Sequence, residues 1–342
     1  MKGVVLRRHG GPEVLEEAEL PLPEPGPGEV RVRVGAVALN HVDLWVRRGL
    51  PHLKLHYPFL LGADVAGDVD ALGPGVVGIT VGDPVVVNPG HSCGRCRECL
   101  SGRDNLCRYF ELMGEDRPGG YAEAIVVPAV NVVRRPAGLS VEDAAALPVT
   151  FLTAWQMLTR KAPLAPGDDI LIVAAGSGVG TAAIQIAKLF GARVIATSSS
   201  DEKLGRCRAL GADHTINHVT GDLVAEVRRL TGKRGVDVIF DHVGQSVWPK
   251  LLLCATRGGC IVTCGATSGH AAETDLRHVF FRQLSILGST MAPKGDLFPI
   301  LDHVVQGRLR PIIDQVLPLG QARQAHELLE ARSSFGKIIL KP

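Results

Sequence analysis

The chain has 342 residues, a length that is too great for one compact core and predicts two domains. Its 37 Lys and Arg residues against 35 Asp and Glu give a formal net charge of +2. This charge is too small for the general electrostatic attraction of a nucleic-acid-binding or membrane-surface protein. Small molecules are therefore the expected partners.

The beginning of the sequence resembles no targeting segment. The charged residues Arg7 and Arg8 directly follow residues 1–6, so no apolar signal region is present. No stretch approaches the roughly 18 apolar residues of a membrane span. We therefore expect a cytoplasmic protein without a membrane partner.

The first third of the chain consists of short valine-rich runs broken by proline and glycine. Residues 30–34 alternate between valine and arginine, which predicts a half-buried strand. Residues 21–28 contain too much proline and glycine for regular structure. This part of the chain is predicted to be an irregular, β-rich domain.

Four cysteines in the segment 88–108 have the spacing Cys-x2-Cys-x2-Cys-x7-Cys; they are Cys93, Cys96, Cys99 and Cys107. Four thiolates at this spacing can surround one zinc ion, and they leave no coordination position open for a substrate. The sequence therefore predicts one structural zinc. Disulfides or unrelated free thiols are the alternative, which the short paired spacings disfavour. We interpret His91 as a loop residue, and the remaining cysteines as small buried residues; these are Cys207, Cys254, Cys260 and Cys264.

After about residue 134, apolar strand-like segments alternate with helical ones. The strand-like segments are residues 170–173, 193–196, 236–240, 260–263 and 284–287. Strands separated by crossover helices predict an α/β fold with a doubly wound parallel sheet.

The first of these strands leads into a glycine-rich turn that contains Gly176, Ser177, Gly178 and Val179, and an amphipathic helix follows at residues 181–190. Glycines at such a turn let the backbone approach a pyrophosphate, which binds the free N–H groups at the helix N-terminus. A tight turn without a ligand is the alternative. The strand before the turn and the helix after it favour a dinucleotide site.

The end of the second strand bears on the choice of dinucleotide. NAD-binding chains carry a carboxylate there for the ribose hydroxyls, whereas this chain has Ser198, Ser199 and, one helical turn later, Lys203. Hydroxyls and an ammonium favour the 2′-phosphate of NADPH over NADH. Alternatively, or in addition, Ser199 and Glu202 form a capping box. If the Asp201 carboxylate occupied the ribose site, the preference would change from NADPH to NADH.

Several segments, together with the cysteine array and the glycine-rich turn, resemble the zinc-type alcohol dehydrogenase family, the medium-chain dehydrogenase/reductases. They are residues 58–67, 82–85, 119–123, 152–155 and 335–338. The resemblance covers nearly the whole chain. It implies a catalytic domain similar to the co-chaperonin GroES at residues 1–134 and 291–342, a Rossmann domain at residues 135–290, an active site between them, and a dimer or tetramer. It also implies a position near the nicotinamide for Thr153 and cofactor contacts for His242, Val243, Gly265, Ser289 and Lys337.

Family members with a catalytic zinc bind it through Cys, His, and Cys or Asp, and the matching positions are Asn40, Ala63 and Val149. An amide is a poor zinc ligand and alkyl side chains have no donor atom. The resemblance therefore implies that the catalytic zinc is absent. An improvised zinc site remains the alternative, because a carboxylate and three histidines lie nearby in the sequence; they are Asp64, His41, His52 and His56.

Residues 38–49 resemble the quinone oxidoreductase-like branch of the family, which carries an Asn-x-x-Asp-x-x-x-Arg-x-Gly element. Hydride transfer without a metal requires an acceptor that delocalises charge, or hydrogen-bond donors where the charge develops. Asn40 is the candidate donor and His41 the candidate general acid. Asp43 and Arg47 are either substrate contacts or an i, i+4 helix pair.

The sequence thus predicts an NADPH-dependent reductase of quinones, activated alkenes or carbonyl compounds with one structural zinc. Two alternatives remain open: an alcohol dehydrogenase with an improvised catalytic zinc, and an NADPH-binding protein without turnover.

Overall fold

The computed structural model describes residues 1–51 and 53–342. These residues form two compact units. Unit 1 comprises residues 1–149, 293–305 and 311–342, and unit 2 comprises residues 150–292 and 306–310. Within the described ranges, no helix combines the length and apolar character that crossing a bilayer requires.

The strands are β1 (Lys2–Leu6), β2 (Leu15–Glu19), β3 (Glu29–Ala38), β4 (Phe59–Leu60), β5 (Asp64–Leu72), β6 (Pro84–Val87), β7 (Gly90–His91), β8 (Glu111–Leu112), β9 (Ala124–Pro128), β10 (Val132–Arg134), β11 (Asp169–Ile172), β12 (Arg193–Ser198), β13 (His214–Asn217), β14 (Val236–Asp241), β15 (Ala255–Thr263), β16 (Ser285–Gly288), β17 (Ile313–Pro318) and β18 (Lys337–Lys341). The α-helices are α1 (His41–Arg48), α2 (Arg97–Leu100), α3 (Val141–Ala145), α4 (Pro148–Trp155), α5 (Gly178–Leu189), α6 (Asp201–Ala209), α7 (Leu223–Leu230), α8 (Trp248–Cys254), α9 (Leu276–Arg282), α10 (Leu297–Val305) and α11 (Ala322–Glu330).

Unit 1 is built around a mostly antiparallel sheet. Its strand order is β10-β6-β5-β3-β18-β17, and β9 also pairs with β3. The valines of the predicted strand at 30–34 alternate into the core, since Val30 and Val32 are fully buried. The C-terminal strand β18 pairs antiparallel with the end of β3, where Ile339 lies opposite Ala38. The last residues of the chain thereby join the sheet that contains β3.

Unit 2 contains a parallel sheet of six strands in the order β13-β12-β11-β14-β15-β16. This observation confirms the predicted doubly wound sheet. All five predicted strands are present, and β13 adds a sixth. This strand was missed because its sequence, His-Thr-Ile-Asn, has only one apolar residue. It lies at an edge of the sheet, where fewer side chains need to be buried.

The parallel arrangement brings the carboxyl ends of all six strands to one edge of the sheet. Ligands of doubly wound folds bind at this edge. The central strands β11 and β14 are apolar on both faces, because the neighbouring residues Ile170 and Leu171, and likewise Ile239 and Phe240, are fully buried. A ligand at this edge of the sheet is therefore contacted by residues at the ends of the strands and just after them.

Candidate functional site

The four predicted zinc ligands come together in unit 1. The Sγ atoms of Cys93, Cys96, Cys99 and Cys107 all lie within 4.8 Å of one another. The Cys96 Sγ is 3.5 Å from that of Cys99 and 3.8 Å from that of Cys107. Four sulfurs around one zinc at about 2.3 Å would be separated by roughly 3.8 Å. Both the donor atoms and their spacing therefore fit one tetrahedral zinc.

The segment that carries these cysteines is held to the rest of unit 1 by a lysine. The Lys294 Nζ donates to the Asp104 carboxylate and to the Ser92 hydroxyl, both at 2.9 Å. His91 lies in the short strand β7 rather than in a loop, and it is not a member of the cysteine group. Burial lowers the pKa of His91 to about 4.

The glycine-rich turn of unit 2 has the geometry of a dinucleotide-binding turn. The Ser177 hydroxyl caps α5 by accepting a 3.0 Å hydrogen bond from the Gly180 N–H. A Cβ at Gly180 would lie 2.7 Å from the Cα of Ala175. Only glycine therefore permits this close approach of the helix to the turn.

The end of β12 differs from the prediction in one respect. The helix cap is Ser200, whose hydroxyl accepts a 3.4 Å hydrogen bond from the Lys203 N–H, so the predicted capping box of Ser199 and Glu202 is not formed. The reason is that Ser200 keeps an extended backbone, with φ −130° and ψ 129°. The cap therefore comes one residue later. Ser198 is buried at the strand end.

The other predicted cofactor contacts of unit 2 also follow the carboxyl ends of strands. His242 follows β14, and its Nε2 lies 3.2 Å from the Ser177 hydroxyl; burial lowers the pKa of its imidazole. Val243 is next along the chain, Gly265 follows β15, and Ser289 follows β16. The Ser289 Oγ is buried without a hydrogen-bond partner. A polar ligand at this edge of the sheet would supply the missing partner, so the residues fit a dinucleotide.

A buried polar cluster lies in unit 1, and we name it the Lys337 cluster: Asn40, Asp43, Asp64 and Lys337. The Lys337 Nζ donates to Asn40 Oδ1 at 2.6 Å and to Asp64 Oδ2 at 2.9 Å. Asn40 Nδ2 donates to the same Asp64 oxygen at 2.9 Å. The second Asp64 oxygen accepts from the Val149 N–H at 2.8 Å. Both oxygens of this buried carboxylate therefore have partners.

Asp43 connects α1 to the turn before β5. Its two oxygens accept from the backbone N–H groups of Asn40, at 2.7 Å, and Gly62, at 2.9 Å. The side chain is fully buried, and the loss of hydration raises the pKa of its carboxyl to about 7. Asp64 adds to this shift and the Lys337 ammonium opposes it.

Arg47 does not form the predicted helix pair with Asp43. Its guanidinium instead contacts the Gly10 carbonyl, His326 Nδ1 and the Glu330 carboxylate. Since the guanidinium can only donate, the proton of the His326 ring is on Nε2, which donates to the Tyr121 hydroxyl at 3.0 Å. Burial lowers the pKa of His326 to about 3. Arg47 thus joins α1 to α11.

Two comparisons place this architecture among known proteins. Residues 26–137 match the family model described as alcohol dehydrogenase GroES-like domain, and residues 178–306 match the model described as zinc-binding dehydrogenase. An NAD-dependent alcohol dehydrogenase of Saccharolobus solfataricus is 31% identical over the full length of both chains. The chain belongs to the zinc-type alcohol dehydrogenase family.

Two further relatives align with nearly the full length of this chain. A solved structure described as an NAD-dependent alcohol dehydrogenase is 56% identical, covers 100% of both chains and superimposes with a TM-score of 0.97. A 2-haloacrylate reductase from a Burkholderia species is 31% identical over 99% of this chain and 98% of its own. The chain is therefore an NAD(P)-dependent oxidoreductase of the medium-chain family, and its relatives are enzymes named for small-molecule substrates.

In this chain, the predicted catalytic residues are distributed over both units. Asn40, His41 and Asp43 are in unit 1, at the start of α1, where His41 is half-buried. Thr153 is on α4 in unit 2, with its hydroxyl 3.9 Å from the sulfur of Met291. Of the other histidines near the improvised zinc site, His56 is exposed and His52 lies outside the described residues.

The sequence reasoning missed the pairing of Asp64 with Lys337. The cofactor contact that the resemblance implies for Lys337 stays a prediction; in the structure its ammonium pairs with Asn40 and Asp64 in unit 1. A signal was available, since Lys337 directly precedes three apolar residues, 338–340. It is also the only lysine among the buried polar residues that the structure describes. A lysine at a buried position requires a partner.

Proposed function

We propose that this enzyme transfers hydride from NADPH to a quinone, an activated alkene or a carbonyl compound without a catalytic metal. The Lys337 cluster carries the proposal. Asn40, Ala63 and Val149 offer no effective zinc ligand. Both carboxylates of the cluster have their oxygens engaged: Asp64 by Lys337, Asn40 and the Val149 N–H, and Asp43 by two backbone N–H groups. An internal ammonium supplies the positive charge that a metal would otherwise bring.

NADPH, when bound, supplies the hydride from its nicotinamide ring. We propose that the N-terminus of α5 and Ser289 bind the cofactor, and that Thr153 contacts the nicotinamide. Asn40 donates to the acceptor oxygen by exchanging its longer hydrogen bond, the 3.3 Å contact with the Ala38 carbonyl. His41 supplies the proton that completes the reduction.

A reduction of conjugated acceptors has support from the relatives. The name of the 2-haloacrylate reductase describes a substrate with an activated alkene. The names of the alcohol dehydrogenases favour the second candidate, a zinc-dependent alcohol dehydrogenase.

A panel of acceptors distinguishes these candidates. We expect NADPH oxidation with quinones and enones, little oxidation of ethanol, and about one zinc per chain by elemental analysis. About two zincs with rapid alcohol oxidation would favour the dehydrogenase. NADPH binding without turnover on any acceptor would indicate a catalytically silent protein.

The proposed preference for NADPH over NADH depends on Ser198, Ser199 and Lys203. The Asp201 carboxylate, which could reverse the preference, accepts a 2.9 Å hydrogen bond from the Asn217 amide on β13. This contact holds the carboxylate to the neighbouring strand and supports the proposal. The names of the NAD-dependent relatives oppose it.

Lys203→Ala should therefore raise the Kd for NADPH about tenfold or more and leave that for NADH nearly unchanged, because only NADPH carries the 2′-phosphate. Fluorescence titration with each cofactor measures both constants. Lys250→Ala, at an exposed lysine on α8, is the matched control and should change neither constant. Equal losses for both cofactors, or a native preference for NADH, would reverse the assignment.

We further propose that the enzyme is a cytoplasmic dimer or tetramer. Support for association comes from β16, which is an edge strand of the six-stranded sheet and exposes Ile286. Light scattering on the purified protein measures the oligomeric state.

A further inference from the structure

The Lys337 side chain is buried yet incompletely hydrogen-bonded. It is 4% exposed, and two of the three N–H groups of its ammonium donate to Asn40 and Asp64. The third N–H has no acceptor among residues 1–51 and 53–342. A buried ammonium with one free donor is costly in a protein interior, so this group points to a ligand that the chain itself does not supply.

The atoms around the ammonium come from separate elements and hold it in one place. Lys337 begins β18, Asp64 begins β5, and Asn40 precedes α1. Asp64 is itself fixed by the Val149 N–H, and Asn40 by the Asp43 carboxylate. The ammonium is therefore oriented before any ligand arrives, which is the condition under which a donor stabilises developing charge most effectively.

We propose that Lys337 is a catalytic residue, whose third N–H donates to the acceptor oxygen on which negative charge develops. This inference rests on the proposed function and deepens it. Hydride carries two electrons from NADPH to the electrophilic carbon, and the conjugated π electrons move to the oxygen. NADPH would leave as NADP⁺, and the resulting oxyanion or enolate takes its proton from His41, which water then reprotonates. The ammonium stabilises the negative charge between these two events.

The test removes the ammonium and keeps an unbranched side chain that is only one atom shorter. Lys337→Met should lower kcat for enones about 10²- to 10³-fold, the range observed when one oxyanion donor is removed, and leave the Kd for NADPH within about twofold. Lys341→Met is the matched control, because Lys341 lies on the same strand with a half-exposed side chain that pairs with Glu142. The control should retain wild-type kcat.

A series of acceptors provides a readout that a purely structural role would not change. Weakly activated enones depend more on stabilisation of the oxyanion than benzoquinones do. The loss of kcat in Lys337→Met should therefore increase as the acceptor becomes less electrophilic. The melting temperature and zinc content, measured on the same samples, establish that the variants are folded.

Three outcomes would overturn the inference. One is an unchanged kcat in folded Lys337→Met while the wild type reduces enones, which leaves the proposed function intact. Another is a raised Kd for NADPH with kcat retained, which would make Lys337 a cofactor contact. The third is a wild type that reduces no acceptor, which overturns the proposed function as well. If Lys337→Met does not fold, Lys337→Gln takes its place and must show the same dependence on the acceptor.

Discussion

At the scale of single residues, two buried titratable groups of unit 1 have opposite effects on stability as the pH changes. Burial raises the pKa of Asp43 to about 7, from 3.8 in an exposed carboxyl. Burial lowers the pKa of His326 to about 3, from 6.5. Asp43 therefore contributes stability at acid pH that is lost as the pH rises through 7. His326 contributes stability that is lost as the pH falls from 6.5 towards 3.

This opposition predicts the effect of Asp43→Asn. On acidification from pH 7 to pH 5, the wild type gains stability through Asp43 and loses it through His326, whereas the variant only loses it. The variant should lose about 2 kcal/mol more than the wild type over this interval. Melting temperatures at the two pH values measure the difference. Asp302→Asn, at an exposed position on α10, should behave as the wild type. Equal acid sensitivity of Asp43→Asn and wild type would show that Asp43 is ionised in the folded protein at pH 5.

At the scale of elements, the segment 88–108 has little apolar packing of its own. Its helix α2 has four residues, and the side chains of Leu100 and Leu106 are exposed. A segment without an apolar core needs another source of folding free energy, which a zinc ion bound by the four thiolates would supply.

Cys96→Ser should therefore release the zinc and lower the free energy of unfolding by roughly 3–5 kcal/mol, with kcat of the remaining folded protein within about threefold of wild type. Elemental analysis and thermal unfolding measure the two effects. Cys260→Ser, at a cysteine of β15 outside the zinc group, should keep about one zinc per chain. A Cys96→Ser protein with its metal and its melting temperature unchanged would contradict the four-cysteine site.

At the scale of the whole molecule, the proposed mechanism predicts that the reductase activity does not depend on a metal in an open site. Dialysis against a mild chelator, which removes metal from open sites but not from a closed four-sulfur site, should leave enone reduction unchanged. Added zinc should not increase the rate. Ethanol should remain a poor substrate, because the proposed site has no metal to lower the pKa of its hydroxyl. Rates before and after dialysis, together with zinc content, check this expectation, and rapid ethanol oxidation that the chelator abolishes would contradict it.

The sequence alone was sufficient for features that depend on a few consecutive residues. The spacing of Cys93, Cys96 and Cys99 predicted a metal-binding group that the structure brings together. The glycine-rich turn predicted a helix N-terminus at the edge of a parallel sheet, because turn chemistry and strand periodicity are local properties of the chain. Even here, the cap at Ser200 was displaced by one residue, since a single extended residue moves a helix start.

The tertiary structure alone decided which distant residues meet. Lys337 and Asp64 are 273 positions apart, and they pair because β18 returns to lie beside β3. Arg47 pairs with Glu330 rather than with its helix neighbour Asp43, because α11 packs against α1 in the folded chain. Burial also acts only in the folded chain, and it raises the pKa of Asp43 through the loss of water around the carboxyl. Local patterns therefore determined the elements and the zinc ligands, whereas the charge balance of the candidate active site arose from contacts that only folding creates.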